Sequence, residues 1–494
     1  MKNPNTTLSP SVAAVILSVT TIIGAALRLH LLAAKSLWID EAASVNFATM
    51  PWLTFLRTLW GYQGNMTLYY VLLRAWIHLG DSEFAVRSLS VLFGVLTIPA
   101  VYALGARLFD RATGLAAAVL LSVHSFHIHW SQETRGYSLL TLLLVLTTYF
   151  LIRALESNRR SSYWIAFAVA AALSVYAHIF AVLVLGAHAL ALAFPRPFRV
   201  GLRTIAFVTL VFGFLIAPMA AFVLLHHSSQ ISWIPSPTLA DISEFLQLLT
   251  SQSGMLLVVV YLALCGLAFW HTAGPAGTVN SKESWGLRLL VLWLALPAVL
   301  TLAASVIKPL FVSRYMVMCV PAIVILAARG LVNLYHVAAV RHWVATAALV
   351  ATVTLSGWGA HRYFIALQIS DWRSAVGYIL AHQQPGDGAV FFIPNVYPYR
   401  YYVRRAESQT GAAAAPDILY PPQPWQPLTP AEVRHVINGR QRLWLILHIE
   451  SIDPQATAII QSAFAERFQL MEKRVFPGQD PITVALYRRH PPLQ

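Results

Sequence analysis

Long apolar runs separated by short polar stretches fill the chain from residue 11 to about 360, and the pattern changes after that. Runs at 11–33, 84–106, 112–129, 137–155, 163–178, 180–195, 203–225, 254–271, 287–306, 315–338 and 343–360 reach or approach the ~20 residues that an α-helix needs to cross a bilayer. Eleven spans are therefore predicted, with 163–178 and 180–195 the shortest. Helices are the only reading, because an isolated strand leaves its backbone groups unsatisfied in lipid. The first run exceeds the ~7–15 apolar residues of a signal-peptide core, so it is read as a retained span. Between spans one and two, Glu41 to Met50 and Leu68 to Leu79 are amphipathic and accompanied by Trp52, Trp60, Tyr69, Tyr70 and Trp76. Such aromatic, half-apolar helices lie along a membrane interface. In the segment 226–252, Trp233-Ile234-Pro235-Ser236-Pro237 predicts a rigid bend ahead of a short helix at 239–250.

After residue 361 the period shortens and mixes. Helices are predicted at 371–382, 430–437 (opened by Thr429) and 454–468, and strands at 388–393, 443–449 and 482–487, with 406–428 a loop. This alternation predicts a small α/β domain with a mainly parallel sheet. The fold class is a polytopic α-helical membrane protein, with domains at 1–360 and 361–494.

Composition agrees: 57% of the 494 residues are hydrophobic and only 11% charged. The net charge of +14 is a matter of topology rather than of nucleic acid. Arg107 and Arg111, then Arg153, Arg159 and Arg160, then Arg196, Arg199 and Arg203, Lys282 with Arg288, and Arg329 with Arg341 fall on alternate loops. The positive-inside rule makes those loops cytoplasmic. The segments around residues 40, 130–136, 226–252 and 307–314, and the C-terminal domain, then face outward. Cys265 and Cys319 lie inside apolar runs and read as small core residues.

In so apolar a chain, polar clusters at one membrane face require a reason. Asp40 and Glu41 come first. Neighbours on a helix point about 100° apart, so one carboxylate can address a substrate while the other packs or positions. A carboxylate at the bilayer surface suits a general base, and capping of a helix at 41–50 by Asp40 is the structural alternative. Gln132, Glu133, Arg135 and Tyr137 crowd a short outward loop, where Arg135 suits a phosphate or sugar; an Arg–Glu pair closing two helices is the alternative. Lys308 and Arg314, beside Tyr315, are cations on the face that the positive-inside bias leaves poor in charge, and an anionic ligand or snorkelling to headgroups would explain them. Arg74 and Arg87 flank span two with Asp81 and Glu83 as candidate partners. His178 sits where spans five and six meet, His124, His127 and His129 line the end of span three, and His226-His227 lies in the 226–252 segment. Core histidines and a bound divalent ion are the two readings of that set. No Gly-rich nucleotide fingerprint occurs in the C-terminal domain. There Trp372, Tyr397, Tyr399, Tyr401, Tyr402, Arg400, Arg404 and Arg405 read as a solvated basic surface, with sugar or headgroup contact as the alternative.

These blocks carry a resemblance. Trp38-Ile39-Asp40-Glu41, Asn65 to Tyr70, Ser82 to Ser90, Gln132 to Tyr137, Tyr176-Ala177-His178 and Pro309 to Tyr315 stand in the order of the family 39 glycosyltransferases. That family belongs to the GT-C superfamily, with protein O-mannosyltransferases and lipid A aminoarabinose transferases as relatives. The resemblance covers about 1–330, and Asp371-Trp372-Arg373 recurs in bacterial members with an extracytoplasmic C-terminal domain. It implies transfer of a monosaccharide from a polyprenyl-phosphate donor to an acceptor hydroxyl of a glycan, lipid or protein, on the outer face of the inner (plasma) membrane. It implies inversion, Asp40 as catalytic base, and substrate contacts from Glu41, Tyr69, Tyr70, Arg87, Gln132, Glu133, Arg135, Tyr137, His178, Lys308, Arg314 and Tyr315. No organic cofactor is implied. The stretch Gly64-Asn65-Met66-Thr67 departs from the family, where many members carry Pro-Pro and the aminoarabinose enzymes an acidic–basic pair. A phosphate-binding lysine from that loop is absent, which argues against the aminoarabinose reaction. The competing function is a transporter or flippase of lipid-linked saccharides, which calls for inverted repeats and ionisable residues at the midplane. A non-catalytic assembly protein is the third class, and it leaves the outward acidic and basic blocks without a role.

Overall fold

The computed structural model describes residues 9–157, 161–195, 197–198, 200–226, 234–270, 281–336, 342–392, 396–410, 415–421, 428–448 and 454–491. Arg159, Arg160, Arg196, Arg199, His227, Trp233, Arg341 and Ile449, used in the sequence reading, lie outside the described residues. In chain order the helices are α1 (Pro10–Leu29), α2 (Ile39–Ala48), α3 (Trp52–Gly61), α4 (Thr67–Trp76), α5 (Glu83–Leu108), α6 (Arg111–Ser122), α7 (Ser125–Ser131), α8 (Tyr137–Glu156), α9 (Ser161–Ala177) and α10 (Ala181–Ala193). There follow α11 (Leu202–Leu225), α12 (Leu239–Leu249), α13 (Met255–Leu267), α14 (Ser281–Ser305), α15 (Val320–His336) and α16 (His342–Ile365). Then come α17 (Trp372–His382), β1 (Gly388–Val390), α18 (Tyr397–Thr410), β2 (Asp417–Leu419), α19 (Pro430–Val436), β3 (Arg442–His448), α20 (Pro454–Ala465), β4 (Phe468–Phe476) and β5 (Ile482–Arg489). Two compact units result: Met1–Leu32 with Pro51–Ile365, and Ala33–Met50 with Ala366–Gln494. The second unit thus takes in the segment 33–50, which the sequence reading assigned to the first domain.

The first unit is all helical. Seven of its helices are long and apolar enough to span a membrane; α6 and α7 form a pair bent by 63°, and α9, α10 and α13 are shorter apolar helices. Each of the eleven spans read from the sequence falls on an apolar helix, but among the described residues only seven, or eight with the bent pair, are long enough to cross; 163–178, 180–195 and 254–271 fall on the three shorter ones. Burial divides them: the most apolar window of the stretch Ser313–His336 is 89% buried and that of α8 78%, whereas that of the 24-residue α11 is 6% buried. A helix that apolar and that bare is stable only in hydrocarbon, and the chain is a multi-pass membrane protein. Close helix contacts use small residues. A Cβ on Gly114 would come within 2.5 Å of the Tyr102 carbonyl oxygen, so α5 and α6 meet backbone to backbone there.

The third span is not continuous. It breaks at Val123–His124, and the carbonyls freed at the end of α6 need donors in a setting without water. Arg28, fully buried in α1, supplies them: its Nη1 donates to Gly24 O (2.9 Å) and Ser122 O (3.0 Å), and its Nη2 to Leu121 O (3.2 Å) and toward His127 Nδ1 (2.8 Å). At the opposite end of the helices, Arg329 pairs with Asp110 and Glu283, and Glu156 pairs with Arg107 and Lys282. These pairs join the ends of α5, α6, α8, α14 and α15.

The loop between the first two spans differs from expectation in one element. Besides the helices at 39–48 and 67–76 there is α3, which the sequence reading left unassigned. Trp52, Leu53, Leu56 and Trp60 are exposed while Phe55 and Leu59 are buried, so α3 is apolar on both faces. Trp60 packs edge-on against Phe222 and His226 at the end of α11.

The second unit contains a five-stranded sheet in the order β2-β1-β3-β5-β4. β1 is parallel to both β2 and β3, but β3–β5 and β5–β4 are antiparallel over longer registers. The expectation of a mainly parallel sheet is therefore corrected. The cause is β4, which was missed: it forms a hairpin with β5, and a short connection permits only antiparallel pairing. Its charged edge, Glu472-Lys473-Arg474, hides the strand pattern. The predicted loop at 406–428 is likewise corrected, since α18 runs to Thr410 and β2 occupies 417–419. The core lies between the sheet and the helices α19 and α20, around Val390, Val433, Leu443, Leu445, Ile460 and Phe464.

Candidate active site

The predicted site residues divide between the two units. In the first, they gather where α1 ends, α4, α5 and α8 begin, and α9 turns into α10. Gln132 donates from Nε2 to Arg28 O (2.9 Å) and His30 O (2.7 Å), so this side chain caps the end of α1. Arg87, 4% exposed, donates to Leu32 O (2.8 Å) and fixes the same chain end against α5. The Tyr69 hydroxyl is 2.8 Å from Ser90 Oγ, and Ser90 Oγ in turn donates to Arg135 O (3.2 Å). Arg135 reaches Tyr70 Oη with Nη1 (3.3 Å). Glu133 lies 3.5 Å from His129 Nε2.

His178 occupies the connection between α9 and α10. Its Nδ1 accepts from Phe180 N (3.2 Å), and its Nε2 lies 3.4 Å from Asn65 Nδ2. Asn65 Oδ1 accepts from Ile179 N (3.1 Å), which ties the loop before α4 to this turn. Tyr315 packs 4.7 Å from the imidazole, with Tyr137 and Phe180 completing an aromatic group. The Arg314 guanidinium lies over the Tyr315 ring at 5.6 Å, and Lys308 is exposed.

Exposure sorts this set. Tyr69, Tyr70, Arg87, Gln132, Glu133, Tyr137 and His178 are buried; Arg135, Lys308, Arg314 and Tyr315 are not. The first group holds the surface in shape and the second can meet a ligand. His124, His127 and His129 do not converge: they face Leu249 O, Arg28 and the Trp130 and Tyr363 rings respectively. Among the described residues no three His, Cys, Asp or Glu side chains are grouped to hold a metal.

Asp40 and Glu41 belong to the second unit, in the first turn of α2. The N-cap of α2 is Trp38, which makes no side-chain cap bond, so the capping reading of Asp40 is not realised. Glu41 is fully buried, whereas Asp40 is partly exposed. Both sit where the helix dipole favours a negative charge. The roles of three residues that shape these surfaces escaped the sequence reading. Arg28, a charge inside an apolar run, was the available signal for a buried network. Asn65 was noticed in the resemblance block and as a departure, without a structural role. Tyr402 was read as part of a solvated basic surface, and that reading is corrected: Trp372, Tyr399, Tyr401 and Tyr402 are buried, and the Tyr402 hydroxyl is committed to Leu37 N, a partner hundreds of residues away that a local pattern cannot show.

The chain is a multi-pass membrane protein with a GT-C-like fold. More particularly, residues 66–224 match the family model described as dolichyl-phosphate-mannose-protein mannosyltransferase. Among solved structures it is similar to ArnT from Cupriavidus metallidurans in the apo state, with 12% identity, coverage of 96% of this chain and 97% of that one, and a TM-score of 0.56. The same protein bound to undecaprenyl phosphate gives 11% identity, the same coverage and a TM-score of 0.56. The Archaeoglobus fulgidus oligosaccharyltransferase in the apo form gives 11% identity, 94% and 73% coverage, and a TM-score of 0.52. No curated protein sequence matches the chain.

Proposed function

We propose that the chain is a glycosyltransferase that moves a monosaccharide from a polyprenyl-phosphate donor to an acceptor hydroxyl. The observation that carries this reading is a set of accessible cations on one aromatic group: Arg135, partly exposed and bonded to Tyr70 Oη (3.3 Å), Arg314 over the ring of Tyr315, which itself packs on Tyr137 and His178, and Lys308 exposed in the segment before Arg314. A cluster of cations at the ends of membrane helices suits an anion whose tail lies in lipid. The fold is shared with a protein crystallised with undecaprenyl phosphate, which supports the same class of donor.

In the proposed reaction the acceptor oxygen attacks the anomeric carbon. The bond from that carbon to the phosphate oxygen breaks, and the electron pair leaves with the polyprenyl phosphate, whose charge Arg135, Arg314 and Lys308 stabilise. The acceptor proton passes to Asp40. Attack opposite the leaving group inverts the anomeric centre. Charge bias across the loops supports an outward-facing site in the inner (plasma) membrane. The one buried arginine of the first span, Arg28, is committed to the carbonyls at the break of the third span and to His127, so it serves the fold and gives no support to a transport path.

The test is transfer by the purified protein with a panel of polyprenyl-phosphate sugars, products identified by mass spectrometry. Asp40→Asn should reduce turnover by about 10²-fold or more, with donor binding intact. Full turnover in that variant would remove Asp40 as base.

A further inference from the structure

The segment that carries the proposed base is built into the C-terminal unit by contacts at both of its ends. Ahead of α2, Ser36 N donates to Gln368 Oε1 (2.9 Å), Ser36 Oγ donates to Ser370 O (2.5 Å), and Trp372 N donates back to Ser36 Oγ (3.2 Å). Arg373 donates to Ala33 O (2.8 Å). At the entry to α2, the Tyr402 hydroxyl accepts from Leu37 N at 2.8 Å. At its exit, Arg404 Nη1 donates to Oγ1 of the C-cap residue Thr49 at 2.9 Å. Between the two, Phe47 packs against Tyr397 with ring centroids 5.7 Å apart. Tyr397, Tyr401 and Arg404 recur at spacings of four and three, so one stripe of α18 lies along α2.

We propose that α18 is the positioning element for Asp40, with Tyr402 and Arg404 as positioning residues that act through the two ends of α2. This rests on the reading of Asp40 as the base. Leu37 is three residues before Asp40, and its N–H precedes the helix, where no intrahelical acceptor exists. Tyr402 Oη provides that acceptor and sets where the first turn begins. Because α2 has only 10 residues and no side-chain cap at Trp38, its register depends on this external hold. A shift of the first turn by about 1 Å displaces a base from an acceptor hydroxyl enough to cost about 10²-fold in rate. The carboxylate itself is untouched, so donor binding is not expected to change. The C-terminal unit thereby contributes to turnover without contacting substrate.

The experiment uses the full-length protein and compares Tyr402→Phe, Arg404→Ala, Arg404→Lys and Asp40→Asn. Tyr402→Phe keeps the ring, which packs on Tyr401 at 4.9 Å, so the fold is retained. The expected result is a kcat lowered about tenfold or more in Tyr402→Phe and Arg404→Ala at unchanged donor KM. Arg404→Lys, which keeps a donor, should recover most of it. Amide hydrogen exchange should rise across residues 39–48 and stay as in the parent across 442–489. Wild-type kcat in Tyr402→Phe and Arg404→Ala, alongside an inactive Asp40→Asn, overturns the positioning role and leaves the base reading standing. An active Asp40→Asn overturns both. Loss of activity with unchanged exchange at 39–48 also overturns it, because the effect would then not pass through α2.

Discussion

Tyr69 and Arg135 show how burial separates two residues that a motif treats alike. The Tyr69 hydroxyl is committed to Ser90 and the side chain is wholly buried. Arg135 shares one nitrogen with Tyr70 and is partly exposed. Tyr69→Phe should therefore cost about 1 kcal/mol of stability with kcat unchanged. Arg135→Ala should lower kcat/KM by about 10²-fold at an unaltered melting temperature. Thermal melts in detergent beside steady-state kinetics check both, and the reverse pattern would exchange their roles. At this scale the sequence located the charged residues, because a charge in an apolar chain stands out. It did not separate ligand-facing from structural groups. Gln132 and Arg135 lie three residues apart in one polar loop, yet one caps α1 while the other reaches Tyr70 Oη and stays partly exposed. Only the packing of α1 against that loop distinguishes them.

Elements were legible in proportion to how far local pattern decides them. Long apolar runs specify spanning helices, and all were read. α12 was read too, and its start has a full capping box: Thr238 N and Oγ1 donate to Asp241 Oδ2 at 2.7 and 2.6 Å. Those bonds hold the Asp241 pKa below its ordinary value. A depressed carboxylate pKa contributes stability that is complete above the unfolded value, near ~4, and is lost as pH falls through the folded value. Asp241→Ala should accordingly lower protection of the amides in 239–249 at pH 7, and the difference from the parent should vanish toward about pH 3. A difference that persists in acid would assign the effect to packing. By contrast, α3, α18 and β4 were missed. Proline and tyrosine in Tyr397-Pro398-Tyr399 favour extended backbone, and a helix forms there because its face is buried against α2. In α18, tertiary contact overrode local preference.

At the scale of the molecule, the sequence showed a membrane part and a mixed α/β part. What it hid is that the chain crosses its own boundary early: residues 33–50 fold with 366–494. Long-range pairing leaves no trace in a local pattern. Ending the chain after Ile365 should leave the helices of the first unit able to insert, because they close on one another. It should abolish transfer, because α17 and α18 are gone. Activity measured in membranes, with topology mapped by protease accessibility, tests this; transfer by the truncated chain would refute it.

The hydrogen bond between Leu37 and Tyr402 spans 365 residues of sequence. A ribosome adding ~5–20 residues per second needs roughly 20–70 s to make that stretch. Throughout that time the acidic segment has left the ribosome and its partner helix has not been synthesised. On the proposed role of Asp40, the transferase is silent while it is being made: every membrane helix can be in place before the proposed base acquires its seat. Completion of the chain is, on that proposal, itself the activating event, and a polypeptide stalled or clipped late in translation would occupy the membrane without consuming donor.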